Sequence, residues 1–346
     1  MKVMLLLDSS GFGGIETHIL QLATMLTQRD CVVEVVFLQA YSGHPLYAAL
    51  ERQQIAYCFA SSSSHHAVRG LSRCIAQLGK GDIVHAHGYK ASILARVLCR
   101  YSGVRCITTF HAGEQGKGRL RFYEWLNRAS ACLSQNLAVS RVIQARLPVD
   151  SILVHNFIAT DDIGFAPKAP SRPLNIGFVG RLSEEKGIDR FIALSKRHPV
   201  CRWHVFGDGP LRQAVLDADH VVFHGQVDAM DEHWSQLDLV LMPSRFEGLP
   251  LTAIEAMARG IPVFATQVGL LNALIDGNWL VEEADWQQLS RKLEAALGWS
   301  DQQWFEYQQA CRHKVDSDFS AQSAWLTYAE IYGFSQLAEY PIEQGS

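Results

Sequence analysis

Short, almost wholly apolar runs recur along this chain, each ending in a turn and giving way to residues at helical spacing. Val3–Leu7, Val32–Leu38, Ile83–Ala86 and Cys106–Phe110 are four of them; Leu137–Val139 and Ile152–His155 follow. Apolar runs without alternation suit strands buried on both faces, the condition of a parallel sheet clad by helices. Between the first two runs, residues 15–28 place Ile19, Leu22, Ala23 and Leu26 on one helical face. Ala91–Tyr101, Gly118–Leu133 and Arg141–Arg146 read as further helices. Such alternation implies an α/β chain with a doubly wound parallel sheet.

The pattern breaks between Ala159 and Pro173, where Asp161-Asp162 and three prolines fall together. It restarts with Leu174–Val179, Trp203–Phe206, Val221–His224, Leu239–Met242 and Val263–Ala265, and becomes helical from Trp286 to about Ala338. A length of 346 residues is enough for two domains. The expected division is residues 1–160, a linker over 161–173, a second domain over 174–320, and a final helix within 321–346. The apolar start Met1–Leu7 is closed by Asp8 with no small-residue cleavage site behind it, so it reads as a first buried strand.

The richest stretch is Pro243-Ser244-Arg245-Phe246-Glu247-Gly248-Leu249-Pro250, followed by a short helix that Gly260 and Pro262 stop. Free N–H groups at a helix start and the positive end of the helix dipole together make an anion site. Glu247 precedes that helix and Glu255 lies within it. A phosphate-binding helix end between two carboxylates suits a sugar nucleotide, whose hydroxyls the carboxylates accept. Taken alone, the stretch is also compatible with an ordinary strand–loop–helix unit carrying two surface glutamates.

Companion motifs narrow the choice. Gly180-Arg181-Leu182-Ser183-Glu184-Glu185-Lys186-Gly187 follows a strand, so Arg181 and Lys186 can meet a diphosphate, one as a bidentate fork and one as a point charge. Gly11-Phe12-Gly13-Gly14-Ile15-Glu16 follows the first strand. It departs from the dinucleotide fingerprint at Glu16, and strand two ends at Gln39 without an acid, which counts against NAD. His111 ends the strand that carries Thr108 and Thr109; Asp82-Ile83-Val84-His85-Ala86-His87-Gly88 supplies two more histidines. Gly207 and the pair Gln226-Val227 sit in strand-end turns of the second half.

Together these motifs resemble the retaining glycosyltransferases of the GT4 family, with the GT-B fold. The resemblance covers most of the chain and is weakest over Tyr41–Ser72 and after Trp286. It implies two Rossmann-like doubly wound domains facing across a cleft, with the helical C-terminal tail crossing back to the first. It implies that Glu247 and His111 lie by the transferred sugar and that Glu255 holds the ribose. Arg181 and Lys186 would neutralise the leaving diphosphate. Gly13, Gly14, Gly180, Gly248 and Leu249 would approach the donor through backbone, while Gly207, Gln226 and Val227 would hold the base largely by main chain. His85 is taken as mainly structural. The partners implied are a nucleoside-diphosphate sugar, UDP-linked first and GDP-linked next, and a glycan or lipid-linked acceptor. Cell-surface polysaccharide or lipopolysaccharide assembly is the setting that fits, with no nucleic acid and no metal cofactor. A sugar-nucleotide 2-epimerase on the same fold, or a non-catalytic sugar-nucleotide binder, are the alternatives.

Composition bears on partners and compartment. Residues 1–170 carry 17 Lys and Arg against 11 Asp and Glu, and the rest 14 against 24, leaving a net −4. From His66 to Arg146 there are 13 basic residues and three acids. This is either a solvated basic face or a surface for anionic lipid or phosphate. Lys117, Arg119 and Arg121, interleaved with aromatics such as Trp125, form a basic amphipathic segment that suits acceptor or peripheral membrane contact. The expected location is the cytoplasm, at the inner face of the membrane if that contact forms. Eight scattered cysteines without a Cys-x-x-Cys pair point to a reducing compartment and away from a zinc site. Asp217-Ala218-Asp219 and Asp316-Ser317-Asp318 follow no strand and read as solvated surface.

Overall fold

The computed structural model describes residues 1–9, 13–62, 66–111, 118–161, 163–227 and 230–334, with the side chains of Arg119 and Leu120 outside the description. The chain forms two compact units, Met1–Ala159 with Ala321–Ser346, and Thr160–Ser320.

In the first unit, β1 (Lys2–Leu7), β2 (Val32–Phe37), β3 (Ala56–Phe59), β4 (Ile83–His87), β5 (Arg105–Phe110), β6 (Gln135–Ala138) and β7 (Ile152–Leu153) form one sheet in the order β3-β2-β1-β4-β5-β6-β7. Every pairing is parallel. The apolar run of β1 is explained by burial on both faces. Val3, Leu5 and Leu7 pack with Ile19, Leu22 and Leu26 of helix Gly14–Thr27. Met4 and Leu6 face Leu71 of helix Ala67–Ile75 and Ala91 and Ala95 of helix Tyr89–Ser102. The C-terminal helix Ala321–Tyr332 joins the first of these layers through Trp325, Tyr328, Ile331 and Tyr332. Twelve residues form a marginal helix alone in water. Burying four large side chains, at about 1.5–3 kcal/mol each, holds it in place.

The second unit has β8 (Asn175–Val179), β9 (Arg202–Phe206), β10 (Val221–Gly225), β11 (Leu239–Met242), β12 (Val263–Thr266) and β13 (Leu280–Val281), ordered β10-β9-β8-β11-β12-β13. All pairings are again parallel. The proline-bearing stretch read as a linker is held against this unit. Lys168 N donates to Gln308 Oε1 at 2.9 Å, Gln308 Nε2 returns a bond to Lys168 O at 2.9 Å, and Ser171 N donates to Asp238 Oδ1 at 2.9 Å.

Both sheet orders reverse direction once, between β1 and β4 and between β8 and β11. Ligands of open α/β sheets bind beyond the strand C-termini at such a switch point. His87 ends β4, and Gly13-Gly14 opens the helix that follows β1, while Gly180–Lys186 and Pro243–Leu249 follow the switch strands of the second unit. Among the described residues, no helix is long and apolar enough to cross a membrane.

Candidate functional site

In the second unit, two loops carry the charged residues. The loop after β8 begins at Gly180, with φ +153°, and ends at Gly187, with φ +72°, which starts helix Ile188–Arg197. A Cβ on Gly187 would lie 2.1 Å from the Pro243 carbonyl oxygen, so only glycine lets this loop touch the one after β11. The contact brings Lys186 Nζ to 2.6 Å from Glu247 Oε2. Ser244 Oγ donates to the other oxygen of Glu247 at 3.0 Å. The Glu247 side chain is 3% exposed and that of Lys186 35%, so the ammonium reaches outward from a carboxylate fixed from behind. Arg181, on the same loop as Lys186, is exposed.

A second bond pair clamps the same two loops. Arg245 Nη1 and Nη2 donate to Asp189 Oδ1 and Oδ2 at 2.8 and 2.7 Å, and Arg245 Nη1 also donates to Glu184 O at 2.7 Å. The Arg245 bond holds the Asp189 carboxyl below its usual range, and Asp189 in turn raises the guanidinium. Leu249 is buried and Gly248 exposed just ahead of helix Leu251–Ala258. This helix is capped by Pro250 without a side-chain bond, so its first N–H groups stay available to an anion. Glu255 lies on it, half-buried, and burial pushes its carboxyl up to about 7 from 4.5. Arg259, whose Nη1 donates to Glu255 O at 2.9 Å and which also pairs with Asp231, opposes that rise.

The turns after β9 and β10 complete this edge. Gly207, with φ +132°, would place a Cβ 2.0 Å from Gly180 O, and its N–H donates to Gly225 O at 2.7 Å. Gln226 is exposed and Val227 half-buried beside it. Gly180, Gly207, Gln226, Val227, Lys186, Glu247, Gly248 and Glu255 thus all belong to strand-end loops, or the helix after them, on the C-terminal edge of one sheet.

In the first unit, Gly13 and Gly14 are exposed at the start of helix Gly14–Thr27; Gly11 and Phe12 lie outside the described residues. One turn into this helix is His18. With His87 at the end of β4 and His111 just past β5, it forms a cluster whose candidate metal-ligating atoms lie within 4.8 Å of one another. His87 Nδ1 and His111 Nε2 share a hydrogen bond at 2.9 Å, and the rings of His18 and His111 meet edge-on at 4.8 Å. Burial lowers all three; His18 falls to about 4 and the others well below the usual histidine range, helped by their like neighbours. Neutral imidazoles are metal ligands in general. Around a tetrahedral ion with bonds of about 2.0–2.1 Å, ring nitrogens stand about 3.3 Å apart. Here the closest two already share a hydrogen bond, and no carboxylate among the described residues joins the set. The cluster therefore fits a hydrogen-bonding role better than a resident ion. His85 is bonded on both ring nitrogens, to Tyr332 Oη and Thr109 Oγ1 at 2.7 Å each.

Helix Arg119–Ala129 turns part of its apolar side outward. Phe122 and Trp125 are 59% and 62% exposed, with rings stacked 6.1 Å apart, and Arg121 is exposed beside them. Lys117 and the side chain of Arg119 lie outside the described residues. Asp316 and Asp318 pair with Arg312 and Lys314 on the surface of one helix, as the sequence suggests.

Sequence reasoning passed over Ser244, the Asp189–Arg245 clamp and His18. Only His18 left a trace: it is a polar residue at i+3 from Ile15, within the apolar stripe of its helix.

Comparison with known proteins follows the same division of the chain. Residues 12–161 match the family described as Glycosyltransferase Family 4, and residues 173–298 the one described as Glycosyl transferases group 1. A protein of Escherichia coli K12 named as a colanic acid biosynthesis glycosyltransferase, WcaL, is 30% identical over 281 residues, 70% of this chain and 68% of its own. The glycogen synthase of Mycobacterium tuberculosis is 28% identical over 285 residues, 72% of this chain and 68% of its own. Among solved structures, HepE of Anabaena in complex with UDP-glucose superposes with a TM-score of 0.78 at 19% identity, over 96% of this chain and all of that one.

Proposed function

The chain belongs to the glycosyltransferase 4 family of GT-B transferases, and on that footing we propose that it is a retaining enzyme moving a sugar from a nucleoside diphosphate to a glycan or glycolipid acceptor. The observation that carries this reading is the Lys186–Glu247 pair at 2.6 Å, set where two switch-point loops meet beside an open helix N-terminus. Breaking a glycosidic bond to a diphosphate leaves negative charge that must be stabilised as it forms. Lys186 extends toward solvent from a buried carboxylate, Arg181 lies on the same loop, and the amides at Leu251 and Thr252 add the positive end of a helix dipole. Glu247 accepts hydroxyls of the sugar and Glu255 those of the ribose. The loops at Gly207 and Gln226-Val227 hold the base, and Gly13 and Gly14 are further donor-binding residues. His111, kept neutral, bonds to the sugar, and the leaving phosphate takes the acceptor proton.

UDP is the base we favour, in keeping with the UDP-glucose held by HepE, and GDP comes next. Names of relatives support a role in surface polysaccharide or lipopolysaccharide assembly. The outward Phe122 and Trp125, with Arg121 and the basic excess of this region, favour contact with an anionic membrane on its cytoplasmic side. Charge stabilisation by these residues needs no divalent ion, so protein treated with a chelator keeps its rate.

The test is thermal stability with UDP, GDP, ADP, CMP and NAD. A ligand at about 100 times its dissociation constant adds about 2.7 kcal/mol. A shift with one nucleoside diphosphate, lost in Glu255→Ala, is the expected result. No shift with any of them, or a shift with NAD alone, refutes the proposal.

A further inference from the structure

The C-terminal helix Ala321–Tyr332 does more than cover the first sheet. Tyr328 and Tyr332 are 1% and 2% exposed, and a phenylalanine at either position would fill the same apolar layer. A buried hydroxyl costs free energy unless it is bonded. Both hydroxyls find imidazoles. Tyr332 Oη lies 2.7 Å from His85 Nδ1, across 247 positions of sequence, and Tyr328 Oη 3.4 Å from His18 Nε2. These two histidines flank the hydrogen-bonded His87–His111 pair: the His85 ring lies 4.3 Å from that of His87, and the His18 ring 4.8 Å from that of His111.

The bonding fixes protons as well as rings. A neutral imidazole has one N–H and one lone pair, and the partner of one nitrogen decides the state of the other. The phenol of Tyr332 is the stronger acid of the two hydroxyls on His85, so it donates to Nδ1. His85 Nε2–H then donates to Thr109 Oγ1, at 2.7 Å. Thr109 is paired in register with His87 and lies two residues before His111 on the same strand end.

We propose that Tyr328 and Tyr332 are positioning residues: through His18 and His85 they hold the rings around the His87–His111 pair, so that His111 keeps one orientation. The inference rests on the reading that His111 bonds to the donor sugar. It gives the returning helix a part in the reaction, carried by two oxygen atoms.

The experiment is ring nitrogen NMR of the full chain labelled with 15N-histidine at pH 7, together with release of nucleoside diphosphate from whichever UDP- or GDP-sugar binds. In Tyr332→Phe, the ring signals of His85, His87 and His111 move or split, kcat falls about tenfold, and KM for the donor stays within about twofold. Tyr328→Phe, with the longer bond, shows a smaller change at His18 and His111. Trp325→Phe, on the same helix and bonded to none of the histidines, lowers the melting point without moving ring signals or kcat. Ring signals and kcat unchanged in Tyr332→Phe overturn the inference; so do equal changes in Trp325→Phe, which would reduce the helix to packing. Should Tyr332→Phe not fold, Thr109→Val breaks the same chain from its other end and is read in the same way. His111→Gln separates the two claims. Full turnover in His111→Gln removes the site reading itself, whereas slow His111→Gln beside wild-type Tyr332→Phe removes this inference alone.

Discussion

Replacing Glu255 by glutamine stabilises the protein at pH 8 and weakens donor binding at the same time. Burial raises the Glu255 carboxyl to about 7 from its ordinary 4.5. A raised carboxyl binds its proton more tightly in the folded than in the unfolded state. Its contribution to stability is therefore complete below about pH 4.5 and is lost as pH climbs to about 7. The difference between about 7 and 4.5, at 1.36 kcal/mol per pH unit, corresponds to about 3 kcal/mol. Because the residue is only half-buried, we expect about 2–3 kcal/mol of it. Glutamine keeps the shape and carries no charge, so Glu255→Gln loses this pH dependence. In a unit of this size that is roughly 5–10 °C in melting point at pH 8, and little at pH 4.5. Tryptophan fluorescence reads it, since Trp203 and Trp234 are buried in the same unit. The nucleoside diphosphate shift falls in the variant, because hydrogen bonds to a charged acceptor are worth about 1.5–3 kcal/mol each. A variant whose stability tracks the wild type in parallel from pH 4.5 to 8 refutes the argument from burial.

Lys186→Ala slows turnover by about 100- to 1,000-fold, the usual cost of one charge-stabilising group, while circular dichroism stays native; near-normal turnover removes Lys186 from the mechanism. Gly207→Ala costs about 2–4 kcal/mol, since it adds a strained φ to a Cβ 2.0 Å from Gly180 O, and a chemical denaturation midpoint equal to wild type contradicts the packing described. The double substitution Phe122→Ser and Trp125→Ser lowers partition onto phosphatidylglycerol vesicles at least about tenfold, and salt lowers it further; unchanged sedimentation with vesicles rules out this face.

Much of the second unit was legible because its signals are local. The apolar run Leu239–Met242, the turn after it and the short helix with Glu255 fall within about twenty residues, and strand, turn and helix each leave a periodicity or a glycine behind. The same holds for Ile176–Val179 and the loop to Gly187. Where the signal was thin, elements were missed. Strand β3 (Ala56–Phe59) is a four-residue, partly exposed edge, β13 has two residues, and helix Ala67–Ile75 follows a serine-rich stretch that reads as loop. The predicted helix Gly118–Leu133 ends instead at Ala129 and continues as a 3-10 turn at Ala131–Leu133.

Sequence by itself determined the type of most elements and the identity of the charged groups, because those depend on residues a few positions apart. Tertiary structure decided which groups meet. Arg245 clamps Asp189 from 56 positions away, Lys186 reaches Glu247 across 61, and Tyr332 bonds His85 across 247. Such pairings exist only once parallel strands have set their order and register, since the strand order alone brings the loops after β8 and β11, and the ends of β4 and β5, side by side. The pKa of Glu255 and the neutrality of the histidines follow in the same way, from burial that no stretch of sequence contains.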